Sequence, residues 1–142
     1  MEKEVTSESA MRALGQAIGK QLRGGEVIEL IGDVGAGKTT LTKGIAIGLG
    51  VDEDVQSPSF TISRTYQTAR LDLLLAHYDF YRLHDPGIMA SELDEVVNDK
   101  GVVTVVEWAE IVNDVLPDGH VRMIIIPTSE TARRVVIEGI EA

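Results

Sequence analysis

Apolar residues recur along this chain in two patterns, at helical spacing and in short unbroken runs. Thr6 and Ser7 precede Glu8, offering an N-cap with an acid in the first turn. Met11, Leu14, Ala17, Ile18 and Leu22 then return at helical spacing, and Gly24-Gly25 predicts the helix end. Val27-Ile28-Glu29-Leu30-Ile31 is a short, mostly apolar strand. The stretch 40–49 predicts a helix starting near Lys38 and closed by Gly48 and Gly50. Ser57-Pro58-Ser59-Phe60-Thr61-Ile62 carries turn chemistry leading into a strand. The apolar segment 71–79 predicts a second strand ending in acid, Pro86-Gly87 a loop, and 91–97 a short helix. Gly101 opens Val102-Val103-Thr104-Val105-Val106, apolar on both faces as in a covered strand, which ends at Glu107. Segments 121–126 and 133–137 predict a C-terminal antiparallel strand pair around Thr128-Ser129-Glu130.

Strands alternate with helices early and pair late. This predicts an α/β chain: a three-layer sandwich with a mixed, mostly parallel sheet and helices on both faces. Ligands in such sheets bind at the carboxyl ends of the strands, where Asp79, Glu107 and the turn after Ile31 all fall.

That turn is the strongest chemical signal. Gly32-Asp33-Val34-Gly35-Ala36-Gly37-Lys38-Thr39 fits the phosphate-binding P-loop G-x-x-x-x-G-K-[ST], in the strand–loop–helix setting the motif requires. Gly35, Ala36 and Gly37 let backbone N–H groups approach phosphate oxygens. The helix start around Lys38, Thr39 and Thr40 directs free N–H groups and a positive dipole end at the same anion. Lys38 adds a full charge at the β/γ-phosphates, and the Thr39 hydroxyl suits Mg²⁺.

A P-loop also needs an acid near its magnesium, normally from the end of a neighbouring apolar strand. Glu107 and Asp79 both fit, one beside the metal and the other orienting water. Ser57 and Thr61 lie where P-loop proteins place a hydroxyl-bearing switch loop. His77 is a candidate to position water or phosphate, or a hydrogen-bonded structural residue. Arg82 contacts phosphate or holds Asp79. Trp108 is a nucleotide-proximal aromatic or a core residue. The guanine signature N-K-x-D and the switch pattern D-x-x-G do not occur, which favours ATP by elimination.

Composition narrows the setting. The 142 residues suit one P-loop ATPase domain over 1–142, and 44% hydrophobic content suits a packed core. With no cysteine there are no disulfides, zinc fingers or thiol catalysis. No apolar run reaches the ~20 residues of a membrane span, and the charged Met1-Glu2-Lys3-Glu4 start is unlike a signal peptide, so the chain is expected in the cytoplasm, without membrane contact. A net charge of −10 argues against binding nucleic acid alone. Arg133-Arg134, the only basic pair in sequence, is expected on a solvated face.

With these residues assembled, the chain resembles the bacterial TsaE (YjeE) family, small P-loop ATPases of transfer-RNA threonylcarbamoyladenosine synthesis. The resemblance rests on the P-loop with Thr40, the Ser57-Pro58-Ser59-Phe60-Thr61 segment, His77-Tyr78-Asp79-Phe80-Tyr81-Arg82, and Glu107-Trp108-Ala109-Glu110. It implies an ATP hydrolase using Mg²⁺ that works with the TsaB and TsaD proteins and meets tRNA only through them. It implies that Lys38 and Thr39 hold phosphate and Mg²⁺, that Glu107 is the metal-side acid, and that Asp79 serves the hydrolytic water or the metal's outer shell. Segment 86–97, which follows the Asp79 strand, is the expected partner-facing region. Two other readings use the same P-loop: a stand-alone phosphotransferase, and a nucleotide-gated binding module without essential turnover.

Overall fold

A computed structural model describes residues 1–33, 35–55, 63–81 and 87–140. Four apolar runs form the parallel centre of one sheet. These are β2 (Val27–Ile31), β4 (Leu74–Asp79), β5 (Val102–Glu107) and β6 (Val121–Pro127), with β2 between β6 and β5, and β4 beyond β5. β5 is buried at every position, as its two-sided apolar pattern requires. The outer strands are antiparallel: β3 (Ser63–Gln67) pairs with β4, β7 (Arg133–Glu138) with β6, and β1 (Glu2–Val5) with β7. The full order is β1-β7-β6-β2-β5-β4-β3.

β4 begins at Leu74 rather than at 71, because the residues before it close a hairpin turn. Thr68 Oγ1 donates to the Leu73 carbonyl at 2.7 Å, Gln67 Nε2 donates to that of Arg70 at 2.7 Å, and Leu71 is 93% exposed. On the other side of the sheet's centre, Glu29 is the one polar residue of β2. It is buried and meets His120 Nε2 at 2.8 Å and Arg122 Nε at 3.7 Å.

α1 (Glu8–Gly19) and α2 (Lys38–Gly48) cover one face of the sheet. α3 (Ile88–Val97) and a 3-10 turn (Ala109–Val112) cover the other. α1 stops at Gly19, short of the expected Gly24-Gly25 end. Gln21 and Leu22 add a tighter turn with N–H bonds to the carbonyls of Ile18 and Gly19, and the two glycines, at φ 125° and 87°, turn the chain into β2. Leu22 is still buried, but Ala17 faces solvent.

What α1 buries instead is glycine. Gly15 and Gly19 face Gly44 and Gly48 of α2, so the two backbones touch. A Cβ on Gly15 would sit 2.4 Å from the Leu41 carbonyl oxygen, and one on Gly44 2.2 Å from that of Arg12. An α-hydrogen at each position therefore points at a carbonyl oxygen across the interface, a weak stabilising contact available only at this separation.

At the start of α1 the expected cap is present: Ser7 Oγ accepts from the Ala10 N–H at 3.0 Å. Ser7→Ala is expected to lower stability by about 1 kcal/mol, read as an earlier urea midpoint with unchanged slope.

Candidate functional site

The carboxyl ends of β2, β5 and β4 stand side by side. Parallel pairing places Asp79 opposite Glu107, so both side chains project from the same face, the face α2 covers. β2 ends at Ile31, and the loop after it returns the chain into α2 on that face. Gly35 and Gly37 adopt φ of 81° and 111°. A side chain strains such backbone, and a turn of this kind can gather successive backbone N–H groups into an anion-binding concavity. α2 has no side-chain cap at its N-terminus, so its first N–H groups face the cleft unpartnered by any cap.

Gly35, Gly37, Lys38, Thr39, Thr40, Asp79, Glu107 and Trp108 all line one cleft of about 420 Å³. The structure thus brings together every one of these expected positions. Ala36 turns its methyl into the core, and its carbonyl faces a neighbouring cleft. Ser57, Thr61 and Arg82 lie outside the described residues.

Lys38 is the electrostatic centre. Its amine donates to the Gly32 carbonyl at 2.7 Å, lies 3.8 Å over the Trp108 ring and stands 4.0 Å from Glu107 Oε1. Burial pushes its ammonium below the ordinary lysine range, while Glu107 and Asp79 hold it up against that. Glu107, only 3% exposed, spends its other oxygen on His77: Oε2 lies 2.6 Å from His77 Nε2. Asp79 Oδ1 accepts from the Tyr81 N–H at 3.0 Å, which fixes the turn beyond β4.

Trp108 is half-buried, packing against the core on the α3 face while also lining the cleft. It has φ 56°, the one positive value outside glycine among the described residues, and its ring packs against Tyr81 at 4.9 Å between centroids. Such backbone costs a non-glycine residue of the order of 1–3 kcal/mol, and here it turns the indole over Lys38.

A second cleft of about 470 Å³ shares Glu8, Gly35, Gly37 and Thr40 with the first and is walled by Thr6, Ser7, Met11 and Arg133. Arg133 is therefore not the solvated residue its sequence suggests. Its Nε donates to the Ala36 carbonyl at 3.2 Å, whereas Arg134 points away and pairs with Glu4 at 3.0 Å. Alternation along β7 separates the two, a distinction a basic pair in sequence does not reveal. Thr6, Ser7 and Glu8 signal only a helix start in sequence, and their place beside the P-loop follows from how α1 lies on α2.

The family model described as threonylcarbamoyl adenosine biosynthesis protein TsaE matches residues 5–135. The chain belongs to the TsaE family. It is 38% identical to the tRNA threonylcarbamoyladenosine biosynthesis protein TsaE of Streptomyces coelicolor, over 92% of this chain and 90% of that one. It is 39% identical to the Bacillus subtilis TsaE, over 82% of this chain and 71% of that one. The crystal structure of YdiB from Bacillus subtilis superposes with a TM-score of 0.80 at 31% identity, covering 96% of this chain and 83% of that one. The P-loop architecture expected from sequence is thus the TsaE fold, and the chain's family is one of tRNA threonylcarbamoyladenosine biosynthesis. No helix among the described residues is long and apolar enough to cross a membrane.

Proposed function

We propose that this TsaE-family chain hydrolyses ATP and, through that cycle, drives a TsaB–TsaD assembly in tRNA threonylcarbamoyladenosine synthesis. The observation that carries the reading is the convergence of Lys38, Thr39, Asp79 and Glu107 on one cleft at the P-loop. The triphosphate lies along the N–H groups of 35–40, with Lys38 at the β/γ-phosphates. The nucleoside occupies the adjoining cleft between Thr6, Ser7 and Arg133, which is continuous with the first through shared residues.

The donor set fits magnesium. Thr39 offers a hydroxyl and Glu107 a carboxylate, with the Asp79 carboxylate beside them, all hard oxygen ligands. Thr39 and Glu107 would hold the ion, which when bound offsets negative charge on the phosphates. Asp79, half-buried where Glu107 is buried, orients the attacking water toward the terminal phosphorus. As the bond to the bridging oxygen breaks, charge grows on oxygens facing Lys38 and the helix N-terminus, and both stabilise it.

Two observations support action through partners. The net charge of −10 disfavours direct RNA binding, and α3, on the sheet face opposite α2, presents Glu92, Asp94 and Glu95 to solvent. Phosphate release from ATP is the test, measured with the chain alone and with its cognate TsaB and TsaD. Slow release alone and marked stimulation by the pair is expected, and both are to vanish in a chain lacking the Lys38 amine. Unstimulated release with no physical association would overturn the partner reading, and phosphate appearing on an added acceptor would favour a phosphotransferase.

A further inference from the structure

His77 is a buried polar residue that nucleotide binding does not explain. It is fully buried on β4, among residues facing α2, and does not line the cleft. Its neighbours on that face, Leu75 of β4 and Val103 and Val105 of β5, are apolar core. Its Nδ1 has no hydrogen-bond partner among the described residues. A core position filled for stability alone favours a hydrocarbon there, because an imidazole nitrogen left unpaired in the interior is unfavourable.

The other ring nitrogen accounts for the residue. Nε2 lies 2.6 Å from Glu107 Oε2. A carboxylate has only acceptors, so Nε2 carries the proton and Nδ1 is the bare nitrogen, the cheaper of the two to leave unpaired. Glu107 reaches the cleft by a side chain with three rotatable bonds. With Oε2 fixed from behind, Oε1 is the oxygen turned toward the cleft, 4.0 Å from Lys38 Nζ.

We infer that His77 is a positioning residue: donating from Nε2, it anchors one oxygen of Glu107 so that the other is presented to magnesium. The inference rests on the metal-side role proposed above for Glu107. Partners that orient a ligating side chain in this way typically change metal affinity about 10–100-fold when removed.

The experiment pairs His77→Leu, which fills the volume without a donor, with His77→Gln, whose amide donates from a similar reach. Trp108 is the chain's single tryptophan and lies over Lys38, so its fluorescence reports nucleotide binding without turnover. Titrating Mg²⁺ at fixed ADP, His77→Leu is expected to raise the half-saturating Mg²⁺ about 10–100-fold. Its ADP binding without Mg²⁺ is to stay as in the unmodified chain, and His77→Gln is to recover most of the loss. A purely structural histidine predicts the opposite: both variants shift ADP binding with and without metal alike.

Nitrogen-15 NMR of the unmodified chain supplies a readout that needs no variant to fold. One protonated nitrogen at Nε2 and one bare nitrogen at Nδ1 are expected for His77. A proton on Nδ1 with Nε2 bare overturns the inference, as does Mg²⁺ half-saturation unchanged in both variants, or His77→Gln as impaired as His77→Leu. If ADP binding by the unmodified chain ignores Mg²⁺, the metal role of Glu107 falls and this inference with it. Failure of the variants alone, on a responsive chain, removes the inference and leaves that role standing.

Discussion

Gly44→Ala is expected to destabilise the fold by about 2–3 kcal/mol, seen as a lower urea midpoint, although glycine to alanine inside a helix normally stabilises by about 1 kcal/mol. The sign reverses because the added methyl has nowhere to go. It would lie 2.2 Å from the Arg12 carbonyl oxygen and 2.9 Å from the Gly15 Cα, and both are backbone atoms that no rotamer change can move. Relief requires α1 to back away from α2, loosening Met11, Ile18, Leu41 and Ile45, which pack in the core beneath the two helices. A Cβ at Gly15, Gly19 or Gly48 would likewise lie 2.4, 2.3 or 2.4 Å from a carbonyl oxygen, so alanine at any of them is expected to act in the same direction. A stabilised Gly44→Ala chain would show that the helices are free to separate. The effect reaches function because the N-terminus of α2 is the proposed phosphate cradle and the start of α1 walls the adjoining cleft.

Those glycines mark where sequence reasoning stops. Gly15 and Gly19, like Gly44 and Gly48, stand four residues apart, but periodicity counts apolar side chains and a glycine contributes none. The apolar residues of α1 suggested its buried stripe and placed Ala17 within it, whereas the helix rolls onto its glycines and leaves Ala17 exposed. β1 was hidden for a different reason. Its Glu-Lys-Glu-Val run has one buried position, Val5, and charged residues on an edge strand guard against pairing with other chains rather than signalling a strand. β2 and β5 are legible because burial on both sides leaves them as largely apolar runs, and the P-loop is legible because phosphate geometry fixes its glycines.

The site divides along similar lines. Lys38, Thr39, Asp79 and Glu107 announce themselves, since each is a charged or hydroxyl residue at the end of an apolar strand or the start of a helix. The bond between His77 and Glu107 does not, because the two are separated by 30 positions and meet only through the β4–β5 register. Nor does the sequence show that Trp108, which packs on the core, also lies over Lys38, a placement its left-handed backbone produces.

Lys38→Ala is expected to lower ATP turnover about 100–1,000-fold, the usual loss when one preorganised donor to developing charge is removed. Three contacts set the size of the effect. Lys38 is 6% exposed, its charge is opposed by Glu107 at 4.0 Å, and its amine lies 3.8 Å over the Trp108 ring. In so dry a setting water cannot take over its role, and the alanine chain brings phosphate up against Asp79 and Glu107 with no side-chain cation between them. ATP affinity is therefore to weaken as well as turnover, by phosphate release and by Trp108 fluorescence. Arginine is not expected to rescue, because its broader guanidinium does not fit between Gly32 and the indole. The lowered pKa adds a directional check. The amine of Lys38 loses its proton at a lower pH than the ordinary lysine value of 10.5, so nucleotide affinity is to fall on the alkaline side before exposed lysines titrate. An alanine chain that binds and turns over ATP within a few-fold of the unmodified one would remove Lys38 from the phosphates, and the proposed ATPase with it.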